Sequence, residues 1–210
     1  MNTGFEFSDI YDEVVARAGG EQSMAEDVIK IRRSQRIVLQ RWMNKGYNTW
    51  RIETCTVWPN GVSSYLTLPV EVDDVVEVVR GESGTLERIT ADKYMRISNK
   101  NQIGTPGQFW LDRKEPPRLY VNPVGTSTTS ESLTVWYVRT PEEFSPDKNN
   151  SDDVPGRWLE ALICGMAHDF ARKRPPYDEA LIARLGAESA VAEEEALRAD
   201  RDRSRFRYRI

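Results

Sequence analysis

The side chains best suited to chemistry are His168 and its neighbour Asp169. An imidazole that is oriented by a carboxylate can act as a general base when a nucleophile such as serine lies beside it. His168 is the only histidine in the chain, so metal sites that need two histidines are excluded. No Gly-x-Ser-x-Gly motif supplies a nucleophilic serine. We therefore interpret His168 as a histidine on a helix face with an acidic neighbour.

Adjacent carboxylates are a second candidate for chemistry, because glycoside hydrolysis uses a pair of them. Such pairs occur at Asp73-Asp74 and Glu142-Glu143. The chain has 33 acidic residues, however, and pairs of this kind are expected on solvated surfaces. The glycine-rich motifs that bind phosphates and dinucleotides are missing. The sequence therefore predicts no catalytic residue, no metal and no cofactor, and we expect a protein that is not an enzyme.

Residues 198–210 contain six arginines and two aspartates, and here arginines alternate with other side chains. The side chains concerned are Arg201, Arg203, Arg205, Phe206, Arg207, Tyr208, Arg209 and Ile210. A period of two is typical of an extended strand, which would have one charged edge and one apolar edge. We interpret this segment as an arm that docks on a partner. A solubilising tail and a nucleic-acid contact are the alternatives.

A second basic feature lies on a predicted helix that runs roughly from Gln22 to Lys45. It consists of Arg32, Arg33, Arg36 and Arg41. These arginines would either face DNA in a channel or pair with the acidic segment Glu193-Glu194-Glu195 of a neighbouring subunit. A solvated helix face is the alternative, since exposed ion pairs contribute only about 0–1 kcal/mol each.

The overall composition limits the remaining function classes. With 29 basic and 33 acidic side chains the net charge is −4, which argues against general nucleic-acid coating. No apolar run is long enough to cross a bilayer, so no membrane contact is expected. Cys55 and Cys164 are predicted to be reduced packing residues of an intracellular protein. The six tryptophans are predicted to pack in a core or a subunit interface.

Hydrophobic periodicity divides the chain into segments. Apolar residues recur every three or four positions in residues 1–50 and 152–200, which predicts helices. In residues 51–140, short β-branched runs alternate with turn signals, which predicts a small antiparallel β domain. The predicted fold class is therefore α+β. An antiparallel helical bundle would form from 1–50 and 152–200, with the β domain inserted, a linker at 141–151 and an extended C-terminal arm at 198–210.

This layout resembles the head-to-tail adaptors of tailed bacteriophages, especially the tail accessory and tail tubular A proteins of short-tailed phages. The resemblance covers nearly the whole chain and rests on the order and the residue character of its segments. The matching stretches are Asp9–Ala18, Arg41-Trp42-Met43, Tyr65–Pro69, Pro117–Pro123, Leu133–Pro141 and Pro155–Leu162.

The resemblance implies a structural virion protein that is made in the host cytoplasm and located at the neck. Such adaptors form a ring, usually a dodecamer, beneath the portal protein and extend the channel through which DNA is ejected. They present a surface to tail nozzle or fibre proteins and contact genomic DNA transiently. In this family the helical part makes the ring and the C-terminal arm reaches the portal.

Two other functions remain open at this stage. The first is an arginine-tailed nucleic-acid-binding packaging accessory protein, which would show strongly salt-dependent DNA affinity. The second, which the missing motifs disfavour, is a virion-associated cell-wall hydrolase. The acidic net charge favours the adaptor over the nucleic-acid-binding protein.

Overall fold

The computed structural model of this chain contains two compact units. It describes residues 7–20, 25–47, 49–61, 63–82, 84–125, 131–141 and 154–200. A β unit spans Arg51–Thr140, and a helical unit comprises the segments that precede and follow it. The fold class is α+β with a β domain, as predicted. None of the described helices is both long enough and apolar enough to cross a membrane.

The described helices are α1 (Phe7–Arg17), α2 (Ala25–Asn44), α3 (Ala91–Met95), α4 (Gly156–Ala171) and α5 (Glu179–Asp200), with a 3-10 turn at Thr49–Arg51. The strands are β1 (Ile52–Val57), β2 (Tyr65–Thr67), β3 (Val72–Arg80), β4 (Gly84–Thr85), β5 (Glu87–Arg88), β6 (Gln108–Asp112), β7 (Arg118–Asn122) and β8 (Leu133–Arg139).

Helix α4 is the centre of the helical unit. Twelve of its sixteen residues are buried, and a helix that is apolar on nearly all sides must be surrounded by other elements. Helices α1, α2 and α5 each pack against it. A Cβ added at Gly165 would lie 3.2 Å from both methyl groups of Val38 on α2 and 3.6 Å from Ser189 Oγ on α5. Gly165 therefore lets α2 and α5 approach the α4 backbone closely.

Helix α2 turns an apolar stripe toward this core. Ile31, Val38 and Trp42 of α2 are buried, and so is Gln35, which interrupts the stripe. The ring of Trp42 lies 4.9 Å from that of Trp158 on α4, measured between centroids. Trp50 lies at the same distance from Trp158, which is fully buried. This aromatic cluster fixes the end of α2 against the beginning of α4.

Hydrogen bonds stabilise helix α5 at both ends. At its start, the backbone amides of Ala180 and Leu181 donate to the Asp178 carboxylate at 3.0 and 3.1 Å, which caps the helix. At its end, Trp158 Nε1 donates to Asp200 Oδ2 at 3.3 Å, and Arg157 forms an ion pair with the same carboxylate. The last residue of α5 thus contacts the first turn of α4, so the two helices are antiparallel.

The end of α5 corrects the predicted boundary of the arm. The helix continues through Asp200, so 198–200 are helical and the prediction that the extended arm begins at Arg198 is wrong. The buried contact of Asp200 with Trp158 stabilises this last turn. Residues 201–210, and the linker from 142 to 151, lie outside the described residues.

The β unit consists of two four-stranded sheets, in the orders β1-β8-β3-β4 and β2-β7-β6-β5. Buried residues of β2, β3, β6, β7 and β8 point into a common core that includes Phe109, Leu119, Val75 and Val135. All strand pairs are antiparallel except β5 with β6, which is parallel. The predicted antiparallel domain is wrong at this one pair, because a long connection that contains α3 joins β5 to β6, and a crossover of this kind lets two strands run parallel.

Asp200 is expected to contribute more to stability than its position at the end of a helix suggests. Replacing Asp200 with Ala leaves the buried Trp158 Nε1–H without an acceptor, which should lower the free energy of unfolding by about 1–3 kcal/mol. The Asp200→Asn variant keeps an acceptor oxygen and should recover part of this loss. Urea unfolding followed by tryptophan fluorescence measures both effects.

A matched control is Glu194→Ala on the same helix. Glu194 pairs with Arg198 at 2.6 Å, but both side chains are 62% exposed, so its loss should cost at most about 0.5 kcal/mol. Equal urea midpoints for the Asp200→Ala and Glu194→Ala variants would contradict the assignment of Asp200 as an anchor.

Candidate interaction surface

His168 and Asp169 contact different partners in the helical unit. Asp169 forms an ion pair with Lys173, which also donates to Ser34 Oγ of α2 at 3.1 Å. His168 instead packs over Gly186 of α5, where an added Cβ would lie 3.3 Å from Nε2. The two side chains therefore serve different helix contacts.

The environment of His168 disfavours its protonated form. Partial burial lowers the pKa of the imidazole, and the positive charges of Arg172 and Arg41 lower it further. His168 is therefore neutral at pH 7 and fills the space between α4 and α5. Among the described residues there is no group of three or more potential metal ligands.

The carboxylate pair at Asp73-Asp74 is also engaged by neighbours. Asp74 accepts from Arg88 at 2.7 Å and pairs with Arg113 at 3.0 Å. Partial burial would raise the pKa of Asp74, but these cations hold it below its usual value. A carboxyl group that stays ionised in this way does not suit the role of general acid. Glu142-Glu143 lies outside the described residues.

The four arginines of α2 do not share one environment. Arg33 and Arg36 are exposed, whereas Arg32 and Arg41 are half-buried. The exposed face of α2 also carries Ile29 and Ile37. A shallow depression of about 500 Å³ lies on this face, lined by Arg36, Ile37, Gln40, Arg41 and Asn44. We call Ile29, Arg33, Arg36, Ile37, Gln40 and Arg41 the α2 basic face.

The two isoleucines give this face an apolar component that the sequence analysis missed. Ile29 is 56% exposed and Ile37 is 41% exposed. Their positions, eight residues apart on one side of the helix and away from Ile31 and Val38, were the available signal. A face that combines arginines with exposed isoleucines is better suited to a protein contact than to solvent alone.

The acidic segment that was a candidate partner for these arginines is already engaged in part. Glu193 pairs with Lys45 of the same chain. Burial and the contact with Glu193 raise the pKa of Tyr47 to about 12. Glu194 pairs with Arg198 at 2.6 Å. Two of the three glutamates therefore have intramolecular partners, which weakens the predicted pairing with a neighbouring subunit.

A second acidic surface lies on α1, and the sequence analysis did not identify it as a site. Asp9, Asp12, Glu13 and Ala16 are exposed on α1, and we call them the α1 acidic face. On its inner side, α1 contacts α4 through Arg17, which donates to Glu160 at 2.6 Å and to Cys164 Sγ at 3.0 Å.

The tryptophans divide between packing and exposed positions. Trp42, Trp50 and Trp158 pack in the helical unit. In the β unit, Trp110 stacks against both Tyr94 and Tyr120 at centroid distances of 5.2 and 4.9 Å, and the two tyrosine rings also contact each other. Trp58 and Trp136 are instead exposed by 68% and 43%. Four of the six therefore lie in packed clusters.

The predicted docking arm cannot be placed on these surfaces. Arg201, Arg203, Arg205, Phe206, Arg207, Tyr208, Arg209 and Ile210 all lie outside the described residues. The point from which they depart, Asp200, is held against Trp158.

Residues 7–209 match the family model described as SU10 adaptor protein. The match includes both units of the structure and nearly the entire chain. No curated protein sequence matches the chain.

The interpretation of His168 as a neutral packing residue can be tested directly by changing the pH. Its pKa is lowered in the folded protein relative to the usual value of about 6.5, so the unfolded chain binds more protons just below that pH. The contribution of His168 to stability should be complete above pH 6.5 and should decrease as the pH falls through the folded-state pKa. The single imidazole C2–H signal in an NMR titration measures this pKa.

The matched variant is His168→Gln, which should fold, assemble normally and lose this part of the pH dependence of stability between pH 5 and 7. A folded-state pKa at or above 6.5 would contradict the interpretation of His168 as a neutral packing residue. Loss of assembly in a folded variant would restore the catalytic hypothesis.

Proposed function

Because the chain belongs to the SU10 adaptor protein family, we propose that it is a head-to-tail adaptor that forms a ring between the portal and the tail. The family is one of structural phage proteins, and this membership supports a location at the virion neck. The single observation that carries the proposal is the match over residues 7–209, which spans the helical unit and the β unit together.

In this proposal the helical unit forms the ring, which is a dodecamer, and the ring extends the DNA channel of the portal protein. One side of the ring binds the portal and the other binds tail nozzle or fibre proteins. Genomic DNA passes through and is contacted only transiently. The net charge of −4 supports this function over a protein that coats DNA.

The arm in this proposal docks on the portal. The contacts of Asp200 with Trp158 and Arg157 give the ten residues that follow a fixed point of departure. Ten residues in an extended conformation reach about 33 Å. Phe206, Tyr208 and Ile210 supply the buried anchors, at roughly 1.5–3 kcal/mol for each fully buried side chain. The arginines on the other edge fix orientation through carboxylates or backbone carbonyls.

The proposed function can be tested by measuring whether the protein assembles on the portal and how many subunits the assembly contains. Purified chain mixed with portal-bearing heads should form a ring on the portal, visible by electron microscopy and countable by native mass spectrometry. A chain that never joins such heads contradicts the proposal. A chain that instead binds DNA with an affinity that falls steeply with salt is the packaging accessory protein.

The arm is tested separately by a truncation that ends after Asp200. A shorter chain ending at Leu197 would also delete the Asp200 anchor and confuse folding with docking. The truncated chain should keep its helix content by circular dichroism and its urea midpoint, yet bind portal-bearing heads at least about tenfold more weakly, because the buried anchors are gone.

A charge-matched control separates the two edges of the arm. Phe206→Ala with Tyr208→Ala keeps every arginine and should reproduce most of the loss. Binding that survives both changes would contradict the docking role. A loss caused only by arginine substitutions, together with salt-sensitive DNA binding, would favour contact with nucleic acid.

A further inference from the structure

The helical unit carries opposite charges on two of its sides. The α1 acidic face contributes three carboxylates, at Asp9, Asp12 and Glu13. The α2 basic face contributes three guanidinium groups, at Arg33, Arg36 and Arg41. Arg17 of α1 is shared between Glu13 of this face and Glu160 of α4. The three carboxylates of the α1 acidic face outnumber this one cation, so the face remains negatively charged.

The contacts on α4 show how far apart these two sides are. Glu160 and Cys164 contact α1, whereas Trp158 and Gly165 contact α2. At 100° per residue, these two pairs of positions lie about 130° apart around α4. The outer faces of α1 and α2 therefore point away from α4 in widely separated directions, as the two sides of a subunit in a ring must.

The α2 basic face has properties of a protein contact. Ile29 and Ile37 lie beside the arginines and are 56% and 41% exposed. A face turned toward DNA in a water-filled channel would leave both isoleucines in solvent, at a cost that a protein partner removes. Glu193 and Glu194, the carboxylates first considered as partners, pair within their own chain.

We propose that the α2 basic face of one copy packs against the α1 acidic face of the next copy. This inference rests on the proposed ring and names the surfaces that build it. The contact is heterologous, because two different faces meet, and repetition of such a contact closes a ring when the rotation between neighbouring copies returns to the first copy. Burial of Ile29 and Ile37 supplies affinity, and the pairing of arginines with carboxylates sets the order and direction of the subunits.

Charge reversal tests the proposal with two variants. The first, Arg33→Glu with Arg36→Glu, makes the α2 face acidic. The second, Asp9→Lys with Asp12→Lys, makes the α1 face basic. Each variant alone places like charges at every contact and should reduce the fraction of subunits in rings on portal-bearing heads by about tenfold or more.

Mixing the two variants is the decisive step. In an alternating ring, the acidic α2 face of the first variant meets the basic α1 face of the second, and the unchanged faces meet each other. The equimolar mixture should therefore restore ring formation, and so should one chain that carries all four substitutions. Circular dichroism of each variant confirms that it folds. If lysine at Asp9 destabilises the first helical turn, Ala16→Arg replaces it, because it adds positive charge to the same face about two turns along the helix.

The control is Glu194→Lys with Glu195→Lys, an equal reversal on α5 that should leave ring formation unchanged. The proposal is overturned if the single variants form rings normally, if the mixture stays unassembled, or if only the α5 variant fails. A wild-type chain that forms no ring with or without portal would refute the proposed function itself, which is a different outcome.

Discussion

The burial of α4 is the constraint on which the helical unit depends. A sixteen-residue helix with apolar residues on nearly every side cannot remain in water, so three other helices must cover it. Each covering helix turns one apolar stripe inward and one polar face outward. The close approach at Gly165 and the aromatic contacts of Trp158 fix where α2 and α5 cross it. The outward faces, and with them the distribution of surface charge, follow from this arrangement.

Polar side chains are also buried in the helical unit, where α4 contacts α2. Ser34, Gln35 and Asp169 are buried, and Lys173 links Asp169 to Ser34 across the contact of α4 with α2. Ionic groups inside a packed unit stabilise little by themselves, but removing one partner leaves an uncompensated charge. The linked groups therefore favour one alignment of the two helices over others that bury similar apolar area.

Local sequence patterns were enough to predict the elements, and distant contacts were not. The recurrence of apolar residues every three or four positions predicted the helices in 1–50 and 152–200, and turn signals predicted the short strands of the β unit. The extension of α5 through Asp200 depends on Trp158, which is 42 residues away. The pairing of Lys45 with Glu193 spans 148 residues. The arginines of α2 were recognised as a group, but helix rotation separates the exposed Arg33 from the half-buried Arg32.

The strands through which the chain enters and leaves the β unit pair with each other. Ile52 of β1 lies opposite Val138 of β8, and Arg51 donates to the carbonyl of Arg139 at 2.8 Å. The two ends of this insertion are therefore side by side, and its cost in loop entropy resembles that of a short connection. The β unit is therefore an insertion that enters and leaves the helical unit's chain at nearly the same point. Changes in length within Arg51–Thr140 are therefore expected to leave the alignment of the helices around α4 unchanged.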